Sequence, residues 1–169
     1  SAVNPVLREG NSDRRAPAAV KAYARNHPHS MGAWSPDSKT RVATMTDGDF
    51  RSTERSVTVA DDDSLSIRFT PTDGEARELR GPVSVSAGTI VDGSLMSAVA
   101  LDEFLTAAIA RAKAEGVLWS IHLKATMMKV SDPIMFGHAV RAFFPGLFAE
   151  YGDVLAEAGF NPNNGLASL

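Results

Sequence analysis

The sequence predicts an α+β fold, that is, a mixed α/β layer with one crossover helix. Helical patterns stand near the start of the chain and again from residue 97 onward. Between them, residues 41–91 break into short runs separated by turn residues, and residues 64–70 alternate apolar and polar side chains. This alternation is typical of a half-buried antiparallel strand. We therefore expect a small β-rich layer with packed helices.

The first helix is expected from about Ala16 to Asn26. Ser12 or Asp13 can cap its start, and Pro17 fits its first turn, where a missing N–H costs nothing. The chain before it is a loop, and Pro28 ends the helix.

The middle of the chain predicts several short strands, with Asp61–Asp63 as a solvated hairpin tip. Thr72-Asp73-Gly74 is a hairpin turn signal. The expected strands are residues 41–45, 56–60, 64–70, 76–80 and 83–86.

Ser97 can cap a long helix that ends at Gly116, in the position that favours a left-handed residue. Residues 117–123 are apolar and too short for a helix, which predicts a buried strand.

Ser131 is the expected N-cap of the next helix, which runs to about Phe143. Pro145 is expected to break or kink it. A last helix then runs to Ala158, Gly159 closes it, and residues 161–165 form a loop.

Composition excludes several classes of protein. The 169 residues suit one domain and carry a net charge of -3, so nucleic acid is not the default partner. No apolar stretch is long enough to span a membrane. The absence of cysteine removes disulfides, thiolate nucleophiles and Cys-ligated metals, and it fits the cytoplasm. Because the chain begins at Ser1 without an initiator methionine, we expect it to be a piece of a longer protein.

Charge is unevenly spread. Residues 1–30 hold five cations and two anions, whereas residues 47–78 hold nine anions and four cations. The basic end is suited to an anionic ligand.

Within that basic end, Arg8 and Arg14 stand near Ser1 and Asn4. Arginine binds carboxylates bidentately, and the hydroxyl and amide supply further hydrogen bonds, so this group suits a small polyanionic acid. A solvated loop with surface arginines explains the same residues.

Lys124 follows the predicted strand 117–123, and ligand sites in α/β layers gather at the carboxyl ends of strands. A partly desolvated lysine there can act as an acid or base. Lys129 competes for this role, and a lysine at the edge of the core explains the pattern equally well. Met127, Met128 and Met135 are expected to fill the core.

Two long motifs carry a family resemblance. Residues 4–17, NPVLREGNSDRRAP, and residues 122–137, HLKATMMKVSDPIMFG, resemble the bacterial monomeric NADP-dependent isocitrate dehydrogenases. Asn163-Asn164-Gly165 also fits, and the resemblance covers the whole chain, although residues 47–91 match loosely.

The resemblance implies a reaction and a set of site residues. Ser1, Asn4, Arg8 and Arg14 match the family's isocitrate-binding positions, and Lys124 matches its catalytic lysine. In that family isocitrate gives a hydride to NADP and then loses carbon dioxide with the help of Mg or Mn. The activity belongs to the tricarboxylic acid cycle and the glyoxylate bypass, in a cytoplasmic, monomeric enzyme.

The resemblance also implies how the chain fits into that enzyme. Residues 1–13 would end a large-domain segment, and residues 14–169 would form the first half of a duplicated smaller domain. The NADP contacts and metal ligands would lie mostly outside these residues. A fragment without enzymatic activity that binds anions or a partner protein is the alternative.

Overall fold

The structure is a computed structural model, and it describes residues 17–28, 30, 32–123 and 128–166. It divides into two compact units. One comprises the described parts of residues 1–44 and 98–169, and the other is Met45–Ser97. Helices and antiparallel strands are both present, so the predicted α+β class is confirmed.

The first helix, α1, spans Ala18–Asn26 and ends where predicted, but Pro17 is the residue that precedes it rather than part of its first turn. Its first bond runs from the N–H of Lys21 to the carbonyl of Pro17. At its end the ring of His27 stacks on Tyr23, with ring centroids 4.3 Å apart. The proposed caps Ser12 and Asp13 lie outside the described residues.

The unit of residues 45–97 is built on a two-stranded ribbon. A short helix, α2 (Phe50–Thr53), is capped reciprocally by Asp49 and Ser52 and leads into it. Four strands follow, all antiparallel, and β1 pairs with β4 while β2 pairs with β3. The strands are β1 Arg55–Thr58, β2 Asp63–Phe69, β3 Arg77–Val85 and β4 Ile90–Gly93.

The two ladders are joined end to end by bonds between Val59 and residues 88–89. The N–H of Val59 donates to Thr89, and the N–H of Gly88 donates back to Val59. The prediction of Asp61–Asp63 as a hairpin tip is therefore wrong. This segment lies at the joint between the ladders, where the Asp62 carboxylate accepts the N–H of Ala87. The true tip is the predicted turn at residues 72–74, which is confirmed.

Strand β3 merges two predicted strands into one. It runs without a break through Gly81-Pro82, although these residues were expected to separate two strands. Leu65 pairs with Val83 and Ile67 with Arg80, so Gly81 and Pro82 form a bulge in β3, which accommodates a proline that cannot donate to the ladder. Strand β4 itself was not predicted.

No residue of the unit 45–97 is buried. Leu65 is half-buried, but Ile67 and Phe69 on the same predicted face are exposed. The alternation of residues 64–70 thus marks a strand correctly, but the unit itself provides no second layer to cover the apolar face.

The other unit is a helical layer. It contains α3 (Ala98–Glu115), α4 (Ser131–Phe143), α5 (Pro145–Glu157) and a short 3₁₀ turn at Pro162–Asn164. The predicted ends of α3 and α5 are confirmed. Gly116 and Gly159, which follow these helices, have φ of 65° and 76°, the left-handed conformation that closes a helix. Residues 161–165, expected to be a plain loop, contain that 3₁₀ turn.

Local polar contacts set the start of α4. Ser131 is its first residue rather than the capping residue before it. The carboxylate of Asp132 accepts a hydrogen bond from the N–H of Lys129 at 2.8 Å. This bond gives a partner to a backbone N–H just before the helix. Pro145 begins α5, which suits a residue without an N–H.

The core of this unit lies between α3 and α4. Met128, just before α4, is 1% exposed, which confirms its predicted place in the core. His138 on α4 also contacts Asp102 on α3, with 2.7 Å between Nδ1 and Oδ1. The buried apolar side chains are Leu101, Leu105, Ala112, Met128, Ala139 and Val140.

The predicted buried strand at residues 117–123 does not form. Trp119, Ile121 and Leu123 are half-buried, but Leu118 is 93% exposed. A strand needs an edge to pair with, and none of the four described strands pairs with this segment. The predicted strand at 41–45 is absent in the same way.

No helix in the described part of the chain is long and apolar enough to cross a membrane.

Helix α4 and the 3₁₀ turn approach closely at Gly137. A methyl group added to Gly137 would overlap Oδ1 of Asn163 and lie 3.2 Å from the backbone nitrogen of Asn163. Gly137 is therefore required by packing rather than by its backbone conformation.

We predict that Gly137→Ala lowers the free energy of unfolding by about 1–3 kcal/mol, because Asn163 must move. The matched control is Gly152→Ala on α5, where an added methyl group meets nothing within 4 Å. It is expected to stabilise the helix by about 0.5–1 kcal/mol. Thermal denaturation of the two variants measures the difference, and equal melting temperatures would refute the packing argument.

Candidate functional site

The residues expected to form the site all lie outside the described part of the chain. They are Ser1, Asn4, Arg8, Arg14 and Lys124. That the guanidinium groups and the lysine amine share one cavity therefore stays a prediction.

The chain on either side of Lys124 is described. On the N-terminal side Ile121 and Leu123 are half-buried. On the C-terminal side Met128 is buried, and the backbone of Lys129 is bonded to Asp132. The side chain of Lys129, the rival candidate for acid–base chemistry, is exposed.

An apolar cavity of about 320 Å³ lies beside the segment that leads to Lys124. Residues 119–122 form one wall, α4 forms another, and Gly165 and Leu166 close it. The rings of Trp119 and Phe143 stack across it with centroids 5.9 Å apart. Among the described lining residues the aromatic and aliphatic side chains predominate, and His122 is the ionisable one.

A second, larger groove of about 730 Å³ runs along α3. Its floor is the face of α3 that carries Phe104, Ala107 and Ala108, and its walls are residues 39–44 and 117–120.

One end of this groove holds a cluster of three cations around Glu115. The guanidinium groups of Arg111 and Arg41 each donate to a different carboxylate oxygen of Glu115, and Arg111 does so at 2.8 Å. The ammonium group of Lys39 donates to the backbone carbonyl of Glu115 at 3.0 Å. These bonds fasten residues 39–41 to the C-terminal turn of α3, where cations are also favoured by the helix dipole.

The same bonds change the titration of Glu115. Hydrogen bonds from the Arg111 and Arg41 guanidinium groups hold the pKa of the Glu115 carboxyl below its ordinary value. The ionised carboxylate is thus the form that the folded chain prefers.

Metal ligation was expected to lie mostly outside this chain. Over residues 17–28, 30, 32–123 and 128–166, no group of three histidine or acidic side chains is placed to hold a metal ion.

Comparison with known proteins identifies the family. A model of the family described as monomeric isocitrate dehydrogenase matches residues 1–169, the full chain. The chain belongs to the monomeric isocitrate dehydrogenase family. The resemblance carried by the two long motifs is thus confirmed.

Relatives from three genera support this placement. The chain is 56% identical to isocitrate dehydrogenase [NADP] of Corynebacterium glutamicum and 54% identical to that of Azotobacter vinelandii. It is 48% identical to isocitrate dehydrogenase [NADP] 2 of Mycobacterium tuberculosis. Each match covers 100% of this chain but only 23% of the relative, so the chain spans about a quarter of the length of these proteins.

The cluster around Glu115 was not among the sites predicted from the sequence. Arg111 and Glu115 stand four residues apart on a predicted helix, a spacing that indicates an ion pair. Arg41 comes from 74 residues away, and no local pattern signals that contact.

We predict that acid loosens the contact between residues 39–41 and α3. Because the folded pKa of Glu115 is lowered, its stabilising effect is present above the ordinary pKa and is lost as the pH falls through the lowered value. The melting temperature of the chain should fall more steeply between neutral pH and about pH 3 than that of Glu115→Gln. Glu103→Gln, at an exposed position of the same helix, is the control and should keep the parental slope. Parallel curves for the parent and Glu115→Gln would contradict the assignment.

Proposed function

We propose that this chain forms part of the active site of an NADP-dependent isocitrate dehydrogenase, which converts isocitrate to 2-oxoglutarate and carbon dioxide. The observation that carries the proposal is the match of residues 1–169 to the family, together with 47–56% identity to enzymes named isocitrate dehydrogenase [NADP]. In this proposal the chain acts within a longer, cytoplasmic enzyme.

Ser1, Asn4, Arg8 and Arg14 bind isocitrate. The substrate is a small trianion, and each of the two guanidinium groups can bind one carboxylate through a pair of hydrogen bonds. Binding of this kind orients the carboxylate that leaves, which is how positioning lowers the barrier to decarboxylation. The serine hydroxyl and asparagine amide satisfy the remaining oxygens.

Lys124 moves a proton in the steps around the enol intermediate. Its amine follows a half-buried segment, and the chain beyond it is anchored by Met128. An anchor close behind the lysine supports an amine held at one position against the substrate.

NADP accepts the hydride, and Mg or Mn is the metal implied by the family. Their ligands are proposed to come mostly from the rest of the enzyme. Residues 1–13 then end a large-domain segment, and residues 14–169 form the first half of the smaller, duplicated domain.

The role of Lys124 is tested in the full-length enzyme. Lys124→Ala should lower kcat by about 100-fold or more, since one acid–base group contributes about 10²–10⁴ in rate. Lys129→Ala is the matched control, because it removes a nearby amine that is exposed. Unchanged turnover of Lys124→Ala, with a normal melting temperature, would rule out the role.

The role of Arg8 is tested by substrate binding. Arg8→Ala in the full-length enzyme should weaken the binding of isocitrate by about 1.5–3 kcal/mol, the value of a hydrogen bond to a charged partner. Arg25→Ala, at the exposed end of α1, provides the comparison and should leave the Kd of isocitrate unchanged. A normal Kd for Arg8→Ala would overturn the assignment.

The 169-residue chain alone is expected to lack the activity, because the NADP and metal ligands are assigned elsewhere. An assay of NADPH formation from isocitrate in the presence of Mn measures this. Appreciable turnover by the chain alone would show that these ligands lie within it.

A further inference from the structure

Two segments with the sequence character of strands remain unpaired in the described chain. Residues 41–45 and 117–123 are rich in apolar and β-branched side chains, which predicts strands. The structure leaves both without helix or strand. Among the described residues, no backbone–backbone hydrogen bond joins 41–44 or 118–123 to another segment.

Both segments border the groove along α3. Six consecutive residues, 39–44, line one wall, and four consecutive residues, 117–120, line the other. The unpaired backbone of residues 41–44 and 118–120 therefore lies at the groove.

The floor of the groove is apolar, and exposed apolar side chains stand in both walls beside the charged end formed by Lys39, Arg41 and Arg111. Phe104, Ala107 and Ala108 of α3 form the floor. Leu118 in one wall is 93% exposed and Val42 in the other is 85% exposed. Unpaired backbone edges beside an exposed apolar floor are features that folded proteins normally cover.

We propose that an extended segment of the longer enzyme, outside residues 1–169, docks in this groove as a β-strand. Its backbone pairs with residues 41–44 and 118–120, and its apolar side chains rest on α3. The proposal rests on the proposed place of this chain in a longer enzyme, and about three quarters of each relative lies outside the matched region. Pairing by strand addition also explains why both strand predictions fail in the chain alone.

Amide hydrogen exchange tests the proposal without reference to activity. Exchange is followed by mass spectrometry in the full-length enzyme and in the 169-residue chain. Amides of residues 41–44 and 118–120 should exchange about 100-fold or more slowly in the full-length enzyme, because pairing must open first. Amides in the middle of α3 are the internal control, since their helical bonds are present in both proteins.

The outcomes separate the alternatives. Slow exchange in both proteins at every concentration would also overturn the docked strand, because the protecting partner would then lie within the 169 residues. Slow exchange in the full-length enzyme alone supports the docked strand, whereas equally fast exchange in both proteins overturns it. If exchange in the 169-residue chain slows only as its concentration rises, a second copy of the chain occupies the groove. That result would overturn the proposal. If Lys124→Ala leaves turnover unchanged but the amides are protected, the proposed function fails while the docked strand stands.

Discussion

The packing of α4 against α3 is the interaction on which the helical unit depends. The two helices pack on each other, and Leu101 and Leu105 on α3, Ala139 and Val140 on α4, and Met128 just before α4 are all buried. Truncating a buried leucine or methionine to alanine typically costs about 2–5 kcal/mol. Because Met128 belongs to this core, the core also fixes the chain that emerges from the segment of Lys124. Stability and the proposed catalytic position thus share one set of contacts.

Backbone hydrogen bonding imposes the second constraint. Every N–H and C=O group that is removed from water needs a partner, and a strand obtains its partners only from another strand. The ribbon of residues 55–93 meets this requirement within itself, although its apolar side chains stay exposed. The segments at 41–45 and 117–123 do not meet it within the described chain. Exposed apolar side chains and unpaired strand-like segments are both expected of a chain that spans about a quarter of the length of its relatives.

What the sequence predicts well is local. Helices α3, α4 and α5 follow from a 3.6-residue period and from stop signals such as Gly116 and Gly159, all of which act over a few residues. The turn at residues 72–74 is equally local. The failed strand at 117–123 has the right composition, but its pairing depends on residues that composition cannot identify. Similarly, Pro82 signals a break, whereas a bulge at Gly81-Pro82 lets β3 continue.

For the candidate site as well, local sequence identifies the residues but does not show how they are arranged in space. The long motifs around Arg8 and Lys124 identify the family, because many residues must match at once. How these side chains meet depends on the tertiary fold, and they lie outside the described residues. The Glu115 cluster shows the same limit, since Arg111 is found by helical spacing and Arg41 is not.

The central claim is that the guanidinium group of Arg8 and the amine of Lys124 act on one bound isocitrate. A double-mutant cycle in the full-length enzyme measures this most directly, with the Kd of isocitrate determined for Arg8→Ala, Lys124→Ala and the double variant. Groups that share one ligand cavity should be coupled by about 0.5–3 kcal/mol. Effects that add to within about 0.3–0.5 kcal/mol would place the two groups apart and contradict the account.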